Sequence, residues 1–306
     1  MKKRQIWTLA AALAAALAGA AATAARTEGW TASAPAIAAK FQPGTVARAD
    51  TEESMMTLSP DASEIFWGVS REWFPMSRVS EIWTARRTGK KWRTARAGFS
   101  TGFSDGDPFV THDGSRIFFV SVRPVGRPRK DFDIYVVDRT ASGYGPGRNV
   151  GGAVNSPEDE LYPSMAGDGT LYFASDRSGT WQTYRARRAP DGTYPAAELL
   201  PAVVNAPGSW NFNPFISQDG RTLIFTSQRK GGAGAGDIWV AQAGPSGEFE
   251  TARNLGPRVN TAQDEFHATL SPDKRALFFV RRPAGPDANA DLYWIGTEGL
   301  GLDARP

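Results

Sequence analysis

A unit of about 53 residues recurs five times along the chain, and this repeat constrains the fold more than any other feature. Each unit carries an aspartate in a short turn motif, as in "SPDA", "THDG" and "SQDG". The separations are 52, 55, 51 and 54 residues, and the aspartates are Asp61, Asp113, Asp168, Asp219 and Asp273. Self-similarity at such a spacing is typical of architectures built from one supersecondary unit per repeat.

Short apolar segments surround each aspartate. In the fourth unit they are, in order, "NPFIS", "RTLIFTSQ", "DIWVAQA" and "ETARNLGPRVN". Aromatic and β-branched residues in runs of this length favour strands, and an Asp-Gly pair before such a run indicates a hairpin. No segment has helical spacing over a useful length. The sequence therefore predicts an all-β fold, a β-propeller of four-stranded blades.

Five units are visible, and they start near residues 52, 104, 159, 210 and 264. The sequence thus predicts five blades, with six as the alternative if the N-terminal region holds a degenerate pair of strands. The last unit has only three strands. The segment 41–50 resembles the fourth strands of other units and is predicted to complete the last blade, which would remove two exposed strand edges. The propeller is assigned to residues 41–306.

The N-terminal residues have the pattern of an export signal. "MKKR" gives a positive start, an apolar run follows, and small residues allow cleavage near Ala24 or Ala25. The apolar run of residues 6–20 is shorter than the ~20 residues that a membrane span needs. We therefore expect residues 1–25 to be a cleaved signal, with an uncleaved anchor as the alternative, and residues 26–40 to be a linker. The predicted location is periplasmic or secreted, with no transmembrane span after signal removal.

The charge balance argues against nucleic acid as a partner. The chain has 35 basic and 32 acidic residues, but three of the basic residues lie in the signal. The remainder is neutral and lacks the basic field that nucleic-acid binding requires. The chain has no cysteine, so it forms neither disulfides nor thiol-linked lipid anchors.

Two motifs resemble nucleotide-binding or catalytic signatures, but neither is followed by the helix that such a signature requires. "RKGGAGAG" at 229–236 precedes a predicted strand, whereas phosphate-binding loops lead into a helix. "GFSTG" at 98–102 matches the nucleophile elbow of hydrolases, but no helix follows it. Ser100 aligns instead with Asn155, Asn205 and Asn260 at the junctions between units. We interpret the first motif as a loop and the second as a chance match.

Three polar positions recur relative to the turn aspartate. The first position is acidic or amide and comprises Glu53, Asp105, Glu160, Asn211 and Glu265. The second position is basic and comprises Arg71, Arg123, Arg177, Arg229 and Arg282. The third opens the third strand and comprises Glu81, Asp133, Gln182, Asp237 and Asp291. Because guanidinium groups bridge carboxylates in fixed geometry, this recurrence predicts structural bracing between blades rather than ligand binding.

The order of an acid, "SPDG", an "L-F-S-x-R" strand and a "D-I-W/Y-x-A" strand resembles the WD-like repeat of TolB-type propellers. The fourth unit ("NFNPFISQDGRTLIFTSQRKGGAGAGDIWVAQ") is the best copy, and the resemblance covers residues 50–297. It implies a binding platform of the bacterial envelope. The separate N-terminal α/β domain of TolB has no counterpart in residues 26–50, which puts a role in the Tol system in doubt. Similar propellers cap prolyl-oligopeptidase-type peptidases, whose hydrolase domain this chain lacks.

Loops between the second and third strands, together with the blade junctions, are expected to gather aromatic and basic side chains on one face. The candidate binding residues there are Trp73, Phe74, Arg127, Arg129, Lys130, Trp181, Trp210 and Lys230. Aromatic residues and arginine are common interface anchors, although the aromatic rings could instead pack on the blade rims. His112 and His267 lack paired spacing for a metal, so no metal ligand and no cofactor is assigned. The acidic runs at 156–160 and 287–291 leave calcium as an alternative.

These observations predict a monomeric, exported, non-catalytic propeller that binds an envelope protein, a peptide or a glycan. The alternative is a carbohydrate-active or other hydrolytic enzyme that uses carboxylates of the central channel. Acids paired with arginine have lowered pKa values and make poor general acids. Asn211 and Gln182 interrupt the repeat, so the third and fourth units are the expected place for a specialised pocket. A scaffolding role within a larger envelope assembly differs from the first hypothesis only in stoichiometry.

Overall fold

A computed structural model describes residues 30–31, 33–42, 44–71, 78–89, 91–124, 131–285 and 289–302. Within these ranges five antiparallel sheets follow one another along the chain. The predicted signal at 1–25 lies outside the described residues. No helix in the described part of the chain is long and apolar enough to cross a membrane.

Each sheet has four strand positions, and the strands are numbered along the chain. The first position comprises β2 (Glu52–Leu58), β6 (Asp105–Val110), β11 (Glu160–Met165), β15 (Asn211–Ile216) and β19 (Asp264–Leu270). The second comprises β3 (Glu64–Ser70), β7 (Arg116–Ser121), β12 (Leu171–Ser175), β16 (Thr222–Ser227) and β20 (Ala276–Arg282). The third comprises β4 (Glu81–Thr88), β8 (Asp133–Thr140), β13 (Gln182–Ala186), β17 (Asp237–Ala243) and β21 (Asp291–Gly296). The fourth comprises β1 (Ala39–Lys40), β5 (Lys91–Arg96), β9 (Gly143–Tyr144), β10 (Arg148–Asn149), β14 (Glu198–Leu199) and β18 (Phe249–Asn254).

The first strands form the inner wall of a closed ring. Strand β2 contacts β6, β6 contacts β11, β11 contacts β15, β15 contacts β19, and β19 contacts β2 again. Every sheet then runs outwards through its second and third strands to its fourth. The molecule is therefore a β-propeller with five four-stranded blades, as the repeat predicts.

The fifth blade is completed by the N-terminal part of the chain. Ala39 pairs with Trp294 and Lys40 with Tyr293, in antiparallel register. The segment predicted to do this, residues 41–50, lies just after the closing strand, so its placement is wrong by a few residues. Left-handed backbone at Gln42 (φ 47°) and Gly44 (φ 80°) turns the chain away from β21 and towards β2.

Part of the predicted linker packs against the propeller. Trp30 is buried in a hydrophobic cluster between the fifth and first blades, and its Nε1 donates to the carbonyl of Ala62 at 3.1 Å. Its ring lies 5.4 Å from Trp92 and 5.9 Å from Phe41, centroid to centroid. This aromatic cluster seals the seam where the two ends of the ring meet.

The recurring aspartate shapes the hairpin between the first and second strands. Ser59 Oγ donates to Asp61 Oδ1 at 2.6 Å, and the Ser63 amide donates to the same oxygen at 3.1 Å. Asp113, Asp219 and Asp273 accept equivalent bonds from a hydroxyl two residues before them. A carboxylate that bonds the backbone two residues on stabilises a tight turn, which explains why this position repeats.

At the blade junctions, a polar side chain rather than a neighbouring strand bonds the backbone of the third strand. Asn155 Oδ1 accepts from the Ile134 amide at 2.8 Å, and its Nδ2 donates to the Ile134 carbonyl at 3.0 Å. Asn205 and Asn260 do the same for Thr183 and Ile238. Ser100 occupies the equivalent place in the first junction, where its Oγ accepts from the Ile82 amide at 3.2 Å.

Candidate functional site

All five inner strands are irregular at the same place. Their pairing with the second strands shifts register between Glu53 and Met56 in β2 and at the equivalent residues of the other four. Four residues at this position have left-handed backbone, with φ between 47° and 59°: Asp107, Tyr162, Asn213 and His267. A β-bulge re-aims a side chain, and non-glycine residues with positive φ are often found at functional sites.

The bulges bring side chains of different blades together at the propeller axis. Each is the second residue after the repeated acid, and we call the set the axial ring: Met55, Asp107, Tyr162, Asn213 and His267. His267 Nε2 of blade five lies 3.9 Å from Asp107 Oδ1 of blade two. The rings of His267 and Tyr162 lie 5.0 Å apart, centroid to centroid. Contacts between blades that are not neighbours can form only near the axis.

Several buried polar atoms of the axial ring have no hydrogen-bond partner among the described residues. They are both carboxylate oxygens of Asp107, both ring nitrogens of His267 and the Nδ2 of Asn213. Asp107 is fully buried, and Asn213 and His267 are each 3% exposed. A buried polar group without a partner costs on the order of 1–3 kcal/mol, so such a concentration indicates a site built to contact something else.

The charge of the axial ring is low because of burial. Burial raises the pKa of Asp107 well above its usual range and lowers the pKa of His267 to about 3. Both shifts favour the uncharged forms near neutral pH. The axial ring therefore presents a carboxyl group, an imidazole, a phenol and an amide with little net charge.

The two ends of the channel differ. Towards the hairpin turns, Phe109 and Phe215 meet across the axis with centroids 6.4 Å apart, below the axial ring. They form the floor of a cavity of about 260 Å³, which His112 and Lys274 also line. Towards the junctions, a small cavity beside His267 is lined by Glu52 and Phe266. The axial ring thus lies between an aromatic plug and the mouth on the junction face.

Carboxylates stand at this mouth, one residue before the repeated acids of the inner strands. Burial raises the pKa of Asp264 to about 6, and burial also raises the pKa of Glu52. Asp159 instead accepts two hydrogen bonds from the Arg78 guanidinium, at 2.6 and 3.0 Å. The mouth therefore combines carboxyl groups that gain protons readily with one that is held by an arginine.

The repeated acid and arginine do pair in the second and third blades. Arg123 contacts Asp105 at 2.7 Å, and Arg177 contacts Glu160 at 2.8 Å. Each arginine also donates to a carbonyl of the preceding junction, that of Phe99 or Val154. In the fourth blade, Arg229 reaches Asn211 Oδ1 at 3.2 Å. These arginines tie a blade to the segment that enters it.

Two of the predicted arginines do not make this contact. In the fifth blade Arg281, not Arg282, donates to Glu265 at 2.8 Å, because Arg281 replaces the serine found at positions 121, 175 and 227. Arg282 lies opposite Asp264 in the antiparallel register of β19 and β20. In the first blade Arg71 is exposed, and Glu53 accepts from the Arg48 amide and Thr51 Oγ1.

The third recurring position serves the outer half of each blade. Asn149 Nδ2 donates to Asp133 at 2.7 Å, and Asn254 Nδ2 donates to Asp237 at 2.6 Å. Lys40 of the closing strand contacts Asp291 at 2.5 Å, and Arg96 contacts Glu81 at 3.1 Å. Gln182 donates to the Ser209 carbonyl at 3.2 Å. These side chains bridge to outer strands or junctions.

The structure describes only three of the eight predicted loop-face residues. Trp73, Phe74, Arg127, Arg129 and Lys130 lie outside the described residues. Trp210 is 46% exposed at the start of β15, and Lys230 is exposed. Trp181 is partly buried and packs against Tyr162, with ring centroids 6.4 Å apart. Trp181 therefore belongs to the wall around the axial ring, while Trp210 faces outwards on the same end of the propeller.

The acidic run at 156–160 is largely committed to other contacts. Glu160 is held by Arg177 and Ser156, and Asp159 by Arg78. Within the described ranges no group of three or more histidine, aspartate and glutamate residues has the arrangement of a metal site. The run at 287–291 lies partly outside those ranges.

Sequence comparison assigns no family, since no protein-family model matches the chain and no curated protein matches it. Solved structures are similar in fold. A TolB protein of Agrobacterium tumefaciens superposes with a TM-score of 0.50 at 18% identity, over 81% of this chain and 84% of that one. A thermostable family-43 glycoside hydrolase gives 0.53 at 16% identity, over 83% and 90%. An α-L-arabinofuranosidase from Lactobacillus brevis gives 0.50 at 12% identity, over 82% and 93%.

Identities this low show a common fold and nothing finer. The TolB-type resemblance is confirmed at the level of the propeller, and the same architecture also occurs in glycoside hydrolases.

The axial ring was missed by reasoning from the sequence, which singled out the acid two residues earlier. One signal was present. The residue two places after each acid differs in every unit, whereas the acid or amide before it and the aspartate turn after it repeat. A position that varies inside a regular repeat indicates specialisation.

Proposed function

We propose that this protein is an exported, non-catalytic propeller that binds a hydroxyl-rich ligand, such as a saccharide, at the axial ring. The observation that supports this most is the set of buried, unpartnered polar atoms on Asp107, Asn213 and His267. Sugar hydroxyls both donate and accept hydrogen bonds, so they can satisfy a mixed, weakly charged set of this kind.

The surroundings of the axial ring support the same ligand class. Tyr162 lies between Trp181 and Phe212, whose centroids are 6.4 and 6.2 Å from its own. Apolar walls with a few convergent polar groups are typical of small-molecule sites. A strongly anionic ligand would find few cations at the axis, since the nearby arginines are committed to carboxylates and carbonyls.

Binding can be tested by thermal unfolding and calorimetry with neutral pentoses, hexoses and their disaccharides, with tetrapeptides as comparators. A saccharide that binds the folded state should raise the melting temperature in a concentration-dependent way. Asp107→Asn should weaken that binding at least tenfold, because the amide nitrogen only donates and an acceptor of the carboxyl group is lost. Asp138→Asn, on an outer strand, is the matched control and should leave binding unchanged. Peptide binding alone, or equal binding by Asp107→Asn, would contradict the proposal.

Hydrolysis is the second candidate, and the acids of the mouth are the observation that favours it. A general acid needs a raised pKa, and burial gives Asp264 a pKa of about 6. Glycoside hydrolysis requires a second carboxyl group across the scissile bond, for which Glu52 and Asp159, the other carboxyl groups of the mouth, are the candidates. A panel of 4-nitrophenyl glycosides tests this directly. Turnover by the wild-type protein that Asp264→Asn abolishes would establish the enzyme and displace the non-catalytic proposal.

A further inference from the structure

An arginine lies over two adjacent aromatic rings at the same place in blades two to five. The paired rings face each other across the second and third strands: Phe119–Tyr135, Phe173–Tyr184, Phe225–Trp239 and Phe279–Tyr293. The guanidinium carbons of Arg123, Arg177, Arg229 and Arg281 lie 4.7–5.4 Å from the ring centroids. We call this arrangement the guanidinium cradle.

The cradle has two further walls, and both are shared by the four blades. One is the side chain that opens the inner strand, which is Asp105, Glu160, Asn211 or Glu265. The other is a main-chain carbonyl of the preceding junction, which belongs to Phe99, Val154, Val204 or Val259. Each cradle thus offers two π faces and two kinds of hydrogen-bond acceptor to one planar cation.

Blade one has the walls of the cradle. Trp67 and Trp83 face each other in the same register as the other aromatic pairs. Glu53 stands at the acid position, and Val46 aligns with the junction residues that supply the carbonyl. Among the described residues, no guanidinium lies over Trp67 or Trp83, in contrast to the four other blades. Arg71, which aligns with Arg123, is exposed.

A cavity of about 560 Å³ opens at this place and is lined by Trp67, Trp83 and Arg71. Arg48 and Thr51 also line it, and both donate to Oε1 of Glu53 behind them. Behind these two residues, Oε2 of Glu53 has no hydrogen-bond partner among the described residues, and Glu53 also lines the small cavity beside His267. Glu53 and Trp67 are each 2% exposed. None of the axial-ring residues lines this cavity.

We propose that the cradle of blade one binds the guanidinium group of a ligand, in the place that the protein's own arginines fill in the other blades. Tryptophan attracts cations more strongly than phenylalanine or tyrosine, and two tryptophans face this cavity. A guanidinium also presents planar donors that match a carboxylate, which an ammonium does not. Asp50 and Glu81 line the cavity as well, but they contact Arg48 and Arg96.

Isothermal titration of the full-length protein with L-arginine amide, L-lysine amide and L-citrulline amide tests the site. Citrulline has the shape of arginine without its charge. We expect arginine amide to bind at least tenfold more tightly than lysine amide, to change tryptophan fluorescence, and citrulline amide not to bind. The peptide Gly-Arg-Gly separates the two sources of the cation. Tighter binding of the peptide than of the amide would identify an arginine side chain of a polypeptide as the ligand.

Matched variants locate the binding. Glu53→Gln and Trp83→Ala should each weaken the binding of arginine amide at least tenfold at pH 9, where Glu53 is ionised in the folded protein. Glu265→Gln alters the equivalent acid in blade five, where Arg281 fills the cradle, and should leave the affinity unchanged. Binding that survives in Glu53→Gln and Trp83→Ala, or that is equal for arginine and citrulline amides, would overturn the proposal. Binding that appears only after Arg71→Ala would also overturn it, because Arg71 would then be the natural occupant. Saccharide binding at the axial ring is measured separately and can fail independently.

Discussion

Arg281 Nε donates to Glu265 Oε1 at 2.8 Å from a strand position that holds serine in three other blades. The carboxylate is fully buried, and the guanidinium also reaches the Val259 carbonyl at 2.9 Å. The same three-way contact is therefore reached from a different sequence position. The geometry of the cradle is maintained although the residue that supplies the cation has moved.

Arg281→Ala should lower the free energy of unfolding by roughly 3–5 kcal/mol, because it leaves a buried carboxylate without its cation and, among the described residues, with hydrogen bonds from Thr261 alone. Arg282→Ala is the control. The sequence pattern predicts that this change is the damaging one, but it should lower the free energy of unfolding by less than half as much. Urea unfolding monitored by tryptophan fluorescence measures both. Equal losses for the two variants would show that Arg281 has no special part in holding the blade.

The titration of Glu53 should lower the free energy of unfolding as the pH rises from about 4.5 to about 8, whereas that of His267 should raise it between about pH 3 and 6.5. Burial raises the pKa of Glu53 to about 8 in the folded protein, so the folded state retains a proton that the unfolded chain loses above about 4.5. Each pKa unit is worth about 1.4 kcal/mol, which gives an effect on the order of 5 kcal/mol across this window. The charged groups nearest to Glu53 are Lys40 and Asp291, which act on its pKa in opposite directions.

Glu53→Gln removes this titration and should flatten the pH profile between pH 5 and pH 8. The variant should be more stable than the wild-type protein at pH 8 and similar to it at pH 5. Asp264 adds a smaller slope of the same sign, since its folded-state pKa is about 6, and that slope should remain in the variant. Parallel profiles for the two proteins would refute the assignment to Glu53.

Ser100 can be tested as a structural junction residue rather than a nucleophile. Ser100→Ala should cost about 1–3 kcal/mol, because the Ile82 amide loses its acceptor. Ser100→Asn should restore or exceed wild-type stability, since Asn155 at the equivalent place bonds both the amide and the carbonyl of Ile134. Chemical denaturation of the three proteins gives the comparison. An asparagine variant less stable than the alanine variant would contradict the equivalence.

Trp30→Ala should destabilise the seam between blades five and one by about 3–5 kcal/mol, the usual cost of truncating a large buried aromatic residue. Trp30 is 7% exposed and contacts Trp92 and Phe41. The exposed Trp210 is the natural control, and Trp210→Ala should change the melting temperature little. If the two substitutions cost the same, residues 30–41 would not seal the ring in solution.

Local signals made the blades predictable. The aspartate turn, the alternating strands and the regular spacing each act over a few residues, and together they gave the number of blades and the place of most strands. The closing strand was misplaced because Ala39 and Lys40 carry no periodic pattern, and only their pairing with Tyr293 and Trp294 defines them. The repeat predicts Arg282 rather than Arg281 as the partner of Glu265, because aligning the units keeps the distance from the turn aspartate nearly constant. The guanidinium can reach the cradle from either position.

The candidate sites were less predictable than the fold, for a reason that lies in the backbone. A bulge adds one residue to a strand and reverses which side chains face inwards, and it leaves no mark in the hydrophobic pattern. The sequence therefore does not predict that Asp107 and His267 lie close together, and only the structure shows it. The cradle of blade one was hidden for another reason, since Arg71 matches the repeat in sequence and departs from it only in conformation.

The closing strand also determines the order in which the molecule can assemble. Residues 39–40 leave the ribosome, or enter a new compartment, long before residues 293–294 with which they pair. The blades between them consist of hairpins between neighbouring strands and can form early, but the ring cannot close until residues 293–294 have emerged. Contacts between distant residues carry the largest loop-closure cost and make folding slow. Closure should therefore be the last and slowest step, and until then both edges of the open ring remain available to pair with other chains.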